Sequence, residues 1–147
     1  MIIGVGVDIV KIDRFENMQE KTRFMERVFS VHEQEYLTNK GAQSMAGLFA
    51  AKEAIAKALG TGFRGFAPCE IEILHDKNGK PLVKLYGKAQ EIVNSLASKG
   101  QGDGSLSCAT QWDREPSPCP GPPSFSIHIS ISHSQTDAIA FAILSML

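Results

Sequence analysis

The stretch 44-SMAGLFAAKEAIAKALGTGFRG-65 decides how the rest of this chain is read. Its apolar residues Met45, Leu48, Phe49, Ile55 and Leu59 fall at helix-compatible spacings, alanines fill the gaps, and no proline interrupts before a glycine-rich exit. The pattern predicts a helix of about four turns. Three charges, Lys52, Glu53 and Lys57, are set into the apolar run. Residues four apart share a helix face, so Glu53 and Lys57 point the same way, with Ala54 and Ala56 leaving room around them. The pair reads either as an ordinary i, i+4 ion pair on a solvated face or as a carboxylate and an ammonium that together hold a metal ion and touch an anion.

Toward the N-terminus, IIGVGVDIV at 2–10 alternates as a strand does. Ile3, Val5, Val7 and Ile9 are expected to be its core face. The opposite face carries Ile2, Gly4, Gly6, Asp8 and Val10, where missing side chains let another backbone or a ligand come close to Asp8. Asp8 also reads as a simple strand end that caps the next segment. Residues 13–29 are expected to be helical, with Arg14, Arg23 and Arg27 forming a small cationic face. Ser30-Val31-His32-Glu33 has the form of a capping box, which predicts a short helix from Val31 to about Asn39 with Tyr36 and Leu37 inward.

Toward the C-terminus, GTGFRGF at 60–66 places Gly60, Gly62 and Gly65 in six positions. Such a segment presents backbone N–H groups to an anion, with Arg64 adding charge, or is simply a helix C-cap. It is neither a Walker loop nor a dinucleotide fingerprint. Residues 70–74 and 81–86 read as strands joined through Asn78-Gly79, a hairpin signal, and 87–98 as a helix using Ala89, Ile92, Val93 and Leu96. From 101 to about 126 the chain is rich in Pro, Gly and Ser and poor in aliphatic residues, so a long loop insertion is expected. A second hairpin closes the chain, with Ile127, Ile129 and Ile131 on one strand, His133 at its end, and Ile139, Phe141 and Ile143 on the next.

A length of 147 residues accommodates one domain with a real core. A net charge of -1 excludes a global attraction to nucleic acid or an anionic membrane, so electrostatic recognition must be local. No run reaches the roughly 18 apolar residues of a membrane span, and the N-terminus lacks a signal-peptide pattern. Cys69, Cys108 and Cys119 form no disulfide framework, which agrees with a reducing compartment, and a cytoplasmic protein is expected.

Two familiar constellations fail on spacing. Cys108, Cys119, His128 and His133 contain no close pair of zinc ligands. Ser132 or Ser134 with His133 and Asp137 lacks a nucleophile elbow, and neighbours in a strand point to opposite faces. What remains is Asp8, Glu53, Lys57, the glycine-rich exit and His133. Two carboxylates suit Mg²⁺ together with a phosphate, and a lysine one turn away can neutralise a leaving phosphate.

Several motifs converge. GVDIV at 6–10, F-x-x-K-E-A at 49–54 followed by Lys57, ALGTGFRGF at 58–66, NGKP at 78–81 and SISHS at 130–134 together resemble the holo-[acyl-carrier-protein] synthase family, the small trimeric class of 4′-phosphopantetheinyl transferases. The resemblance covers about residues 1–99 and 127–145 and implies a single α+β domain over 1–147, a small antiparallel sheet with packed helices and one long helix central. It implies transfer of phosphopantetheine from coenzyme A to a serine of apo acyl carrier protein, releasing adenosine 3′,5′-bisphosphate. By the same resemblance, Asp8 and Glu53 would hold Mg²⁺ against the pyrophosphate and Lys57 would assist the leaving group. Gly60, Gly62, Gly65 and His133 would bind coenzyme A, with His133 near the nucleotide. Arg14, Arg23 and Arg27 would receive the acidic carrier, and the active site would lie between subunits of a homotrimer. The segment at 101–126 departs from the family pattern. Two rival readings are a two-carboxylate Mg²⁺ phosphodiesterase or pyrophosphatase using water, and an inactive module that binds the carrier through the Arg14 face.

Overall fold

The computed structural model describes residues 1–99 and 124–146. Most of the expected insertion therefore lies outside the described residues, and Phe125 and Ser126, expected to be its end, instead open a strand. The order is β1 (Ile2–Lys11), α1 (Thr22–Val28), α2 (Val31–Leu37), α3 (Ala42–Ala58), β2 (Ile71–His75), β3 (Pro81–Leu85), α4 (Gly87–Lys99), β4 (Phe125–His133) and β5 (Asp137–Met146). β1, β5 and β4 form a three-stranded antiparallel sheet in that order, and β2–β3 is a separate hairpin, giving the expected α+β class.

The 17-residue α3 is the long central helix and lies across one face of the larger sheet. Met45, Leu48 and Ile55 are at most 2% exposed, each contributing roughly 1.5–3 kcal/mol through burial. The contact with β1 is made backbone to backbone. A Cβ on Gly4 would fall 1.9 Å from the carbonyl oxygen of Ala58, and one on Gly6 would fall 1.9 Å from that of Ala54. Only glycine permits this approach. The inner face continues across the sheet in register, with Gly6 opposite Ala142 opposite Ile129, and Asp8 opposite Ala140 opposite Ile131.

This reverses the expected orientation of β1. Ile3, Val5, Val7 and Ile9 are 36%, 53%, 50% and 64% exposed, whereas Gly6 and Val10 are buried. The larger apolar side chains lose the core because the helix can come closest over glycine and alanine. The expected helix over 13–29 is also corrected. Ile12–Phe15 and Met18–Glu20 are separate 3-10 turns, divided by Asn17 in the left-handed region at φ 62°, and α1 starts only at Thr22. The capping box at Ser30 forms as expected. Glu33 N–H donates to Ser30 Oγ at 3.3 Å, and Ser30 N–H donates to Glu33 Oε2 at 2.7 Å. Leu37 is fully buried, but Tyr36 is 38% exposed rather than inward.

Candidate active site

The glycine contacts on β1 bring the next residue of the same face, Asp8, to the last turns of α3. There Lys57 Nζ donates to Asp8 Oδ1 at 2.8 Å and to the Val7 carbonyl at 2.9 Å. The ammonium thus pairs across to the strand; among the described residues it forms no ion pair with Glu53 along its own helix. Glu53 is half-buried one turn away. Burial pushes its carboxyl up, the Asp8 charge pushes it further, and Lys57 opposes both. The Asp8 charge beside the Glu53 carboxyl is a crowding that a divalent cation would relieve, and two carboxylates are a donor set compatible with Mg²⁺.

Beside Glu53 opens a cavity of about 980 Å³ whose walls include Phe49, Phe63, Phe66, Pro68 and Cys69. Gly65 lies in its lining, whereas Gly60 and Gly62 have another use. Their N–H groups donate to the carbonyls of Lys57 and Ala56 at 3.0 and 3.1 Å, ending the helix. With φ of 78° and 56°, these glycines form the C-cap that was one of the two readings of the segment, and their amides are bonded to the helix.

His133 does not join Asp8, Glu53 and Lys57 within one chain. It ends β4, two strands from β1, with Nδ1 3.3 Å from the Ser134 carbonyl oxygen. It lines a second cavity of about 340 Å³ with Tyr36, His75, Gly79, Pro81 and Ile129. Tyr36 and His75 stack there at 4.8 Å between centroids. Burial and then the charge of Lys40 push the His75 imidazole down. The set-aside constellations stay apart: His128 Nε2 lies 2.8 Å from Ser126 Oγ, while the Asp137 carboxylate is bonded by Lys11 and Thr136. Cys108 and Cys119 lie outside the described residues.

The three arginines are exposed but do not share a helix. Arg14 sits in the 3-10 turn after β1, while Arg23 and Arg27 are one turn apart on α1. Arg23 and Arg27 flank an apolar hollow of about 380 Å³ that includes Phe24, Val28 and Pro68.

One group escaped the sequence reading. Lys52 is fully buried and donates to Glu33 Oε2 at 2.7 Å, to the Pro68 carbonyl at 3.1 Å and to the Ile71 carbonyl. Burial pushes its ammonium down and Glu33 opposes this. The signal was present, because Met45, Leu48, Lys52, Ile55 and Leu59 recur at spacings of three and four, which places Lys52 within the apolar stripe. Nearby, buried Glu72 accepts from Ser30 Oγ and Tyr86 Oη at 2.7 Å, with His32 Nδ1 at 2.8 Å. Burial raises its proton affinity, but the hydrogen bonds from His32, Tyr86 and Ser30 outweigh it and hold the carboxyl down at about 2.

A strand carboxylate clamped to a helix lysine, with a helix carboxylate beside an open cavity, now has a family context. The model of the 4′-phosphopantetheinyl transferase superfamily matches residues 4–111, and the chain belongs to that superfamily. Within it, the chain is 51% identical over 96 residues to the holo-[acyl-carrier-protein] synthase of Clostridium tetani, covering 63% of this chain and 76% of that protein. It is 50% identical over 101 residues to the synthase of Geobacter metallireducens, covering 65% and 80%. Among solved structures, the Helicobacter pylori holo-[acyl-carrier-protein] synthase in complex with coenzyme A superposes with a TM-score of 0.69 at 28% identity, covering 96% of this chain and 99% of that one. The Bacillus anthracis enzyme, also in complex with CoA, gives 0.66 at 30% identity, covering 98% and 96%. No described helix is long and apolar enough to cross a membrane.

Proposed function

We propose that this chain is a single catalytic domain that transfers 4′-phosphopantetheine from coenzyme A to a serine hydroxyl of apo acyl carrier protein, in the cytoplasm and for fatty acid biosynthesis. The observation that carries this reading is the meeting of Asp8, Glu53 and Lys57 at one corner of a phosphopantetheinyl transferase fold. The serine oxygen bonds to the phosphorus that bears pantetheine, and the bond from that phosphorus to the bridging oxygen breaks, releasing adenosine 3′,5′-bisphosphate. Lys57 neutralises charge on the leaving phosphate. Asp8 and Glu53 hold Mg²⁺, which when bound supplies charge compensation for the pyrophosphate. The cavity beside Glu53 receives the arm, and Arg23 and Arg27, with Arg14 on the adjoining turn, receive the acidic carrier.

The active form in this reading is a homotrimer. The outer sheet face exposes Val5, Val7, Ile9, Ile139 and Phe141 between 42% and 64%, a continuous apolar surface that a second copy of the chain would cover. The separation of His133 from Asp8 within one chain supports a coenzyme A site shared between copies, with His133 on the nucleotide side. The test is intact-mass spectrometry of apo carrier protein incubated with this protein, coenzyme A and Mg²⁺. A gain of one phosphopantetheine, abolished by EDTA, is expected. No gain from a folded protein overturns the reading.

A further inference from the structure

Lys52 and Glu53 are neighbours on α3, turned about 100° from each other around the helix axis. Glu53 lines the large cavity, while Lys52 runs beneath its wall, wholly buried. Two of its three bonds go to the carbonyls of Pro68 and Ile71, which bracket Cys69 and Glu70 in the turn that lines the cavity. Its third bond goes to Glu33, whose other oxygen accepts the Ile73 N–H at 2.9 Å. The Glu33–Lys52 pair therefore grips residues 68–73 at three backbone points, from two different helices.

A buried ion pair is a poor way to gain stability, since apolar residues of similar volume stabilise as well or better. What it supplies is direction, because each bond fixes a backbone atom relative to α3. Pro68 is also shared, lining both the cavity beside Glu53 and the hollow between Arg23 and Arg27. We infer that Lys52 is a positioning residue: by holding the Pro68–Ile71 wall to the helix that carries Glu53, it sets the distance between the carrier-docking hollow and the reacting phosphate. This inference rests on the transferase reading. The carrier serine must reach the phosphate held at Glu53 while its protein sits on α1, and a wall displaced by about an ångström can cost about a hundredfold in rate.

The experiment compares wild type with Lys52→Arg, which keeps the charge with a bulkier head, and with Lys52→Met/Glu33→Gln, which removes both buried charges together. Transfer kinetics and calorimetric coenzyme A binding are measured at a temperature where each variant is fully folded by circular dichroism. We expect kcat to fall about tenfold to a hundredfold in the folded variants, with a smaller loss, under about tenfold, in affinity for coenzyme A, because Asp8, Glu53 and Lys57 still hold its phosphates while only the arm meets the displaced wall. An unchanged kcat in a folded variant overturns the positioning role and leaves the transferase reading intact. Absence of transfer by wild type sinks that reading instead. Should neither variant fold, amide hydrogen exchange on wild type decides. Exchange at residues 70 and 71 as slow as in β1 and β5 supports a fixed wall, and exchange as fast as in exposed turns overturns it.

Discussion

The two faces of the β1–β5–β4 sheet differ in a way opposite to simple hydrophobic counting. Where α3 crosses β1 and β5, the inner face is dominated by Gly4, Gly6, Ala138, Ala140 and Ala142, with the larger Ile129 and Ile131 set to one side on β4. The outer face of β1 and β5 carries Val5, Val7, Ile9, Ile139 and Phe141, exposed in the single chain. Burial here follows distance of approach. Small residues admit a helix backbone, and Asp8 is thereby carried to Lys57 and Glu53. The larger residues are left for a second surface.

The largest expected effect tests the inner face. Gly6→Ala puts a methyl group into the Ala54 carbonyl, and we expect a loss of more than about 4 kcal/mol, seen as absence of a cooperative thermal transition. The outward Val5→Ala should cost far less in the same melt, and equal losses would erase the distinction between the faces. Next, Asp8→Ala keeps the inner face packed but removes a carboxylate, so transfer should fall at least about a hundredfold with little change in melting. Near-normal turnover would remove Asp8 from the chemistry. On the outer face, Phe141→Lys should weaken self-association by about 2 kcal/mol or more while the monomer stays folded, which sedimentation velocity would detect. An unchanged sedimentation coefficient would show that this face is not the contact between copies.

The last effect, which appears only in acid, lies away from both faces and serves as their control. The Glu72 carboxyl is held at about 2, below its unfolded value near 4.5, so its stabilisation is fully present above pH 4.5 and is lost as pH falls toward 2. The loss should approach about 3 kcal/mol in urea unfolding, and the corresponding slope should vanish in Glu72→Gln. A slope that persists in that variant would assign the acid sensitivity to other carboxylates.

Where local chemistry determined the outcome, the sequence was readable. Ser30 and Glu33 form their reciprocal cap, and Asn78-Gly79 turns between β2 and β3 with Asp76 Oδ1 accepting the N–H groups of Asn78 and Lys80. Asp8, Glu53 and Lys57 could be nominated from residue type and helix spacing, although the partner of Lys57 proved to be the strand. The misses share another cause. The orientation of β1 depends on how closely α3 approaches, which no alternation pattern contains. The break at Asn17 is a single backbone torsion within a segment of acceptable helix formers. The sequence pattern leaves Lys52 without a role because its partners, Glu33, Pro68 and Ile71, come from separate parts of the chain.

The pairing of β4 has a consequence for how the chain can diversify. β4 begins at Phe125, opposite Met146, and only six residues later, at Ile131, does it reach the level of Asp8. At about 3.3 Å per residue, the point where the chain re-enters the sheet stands roughly 20 Å along the strand from the level of Asp8. Insertions and deletions between α4 and β4 therefore enter at the far end of the sheet. The fold is permissive to length variation there, and an engineer seeking a place to graft a tag or a second domain would choose that connection.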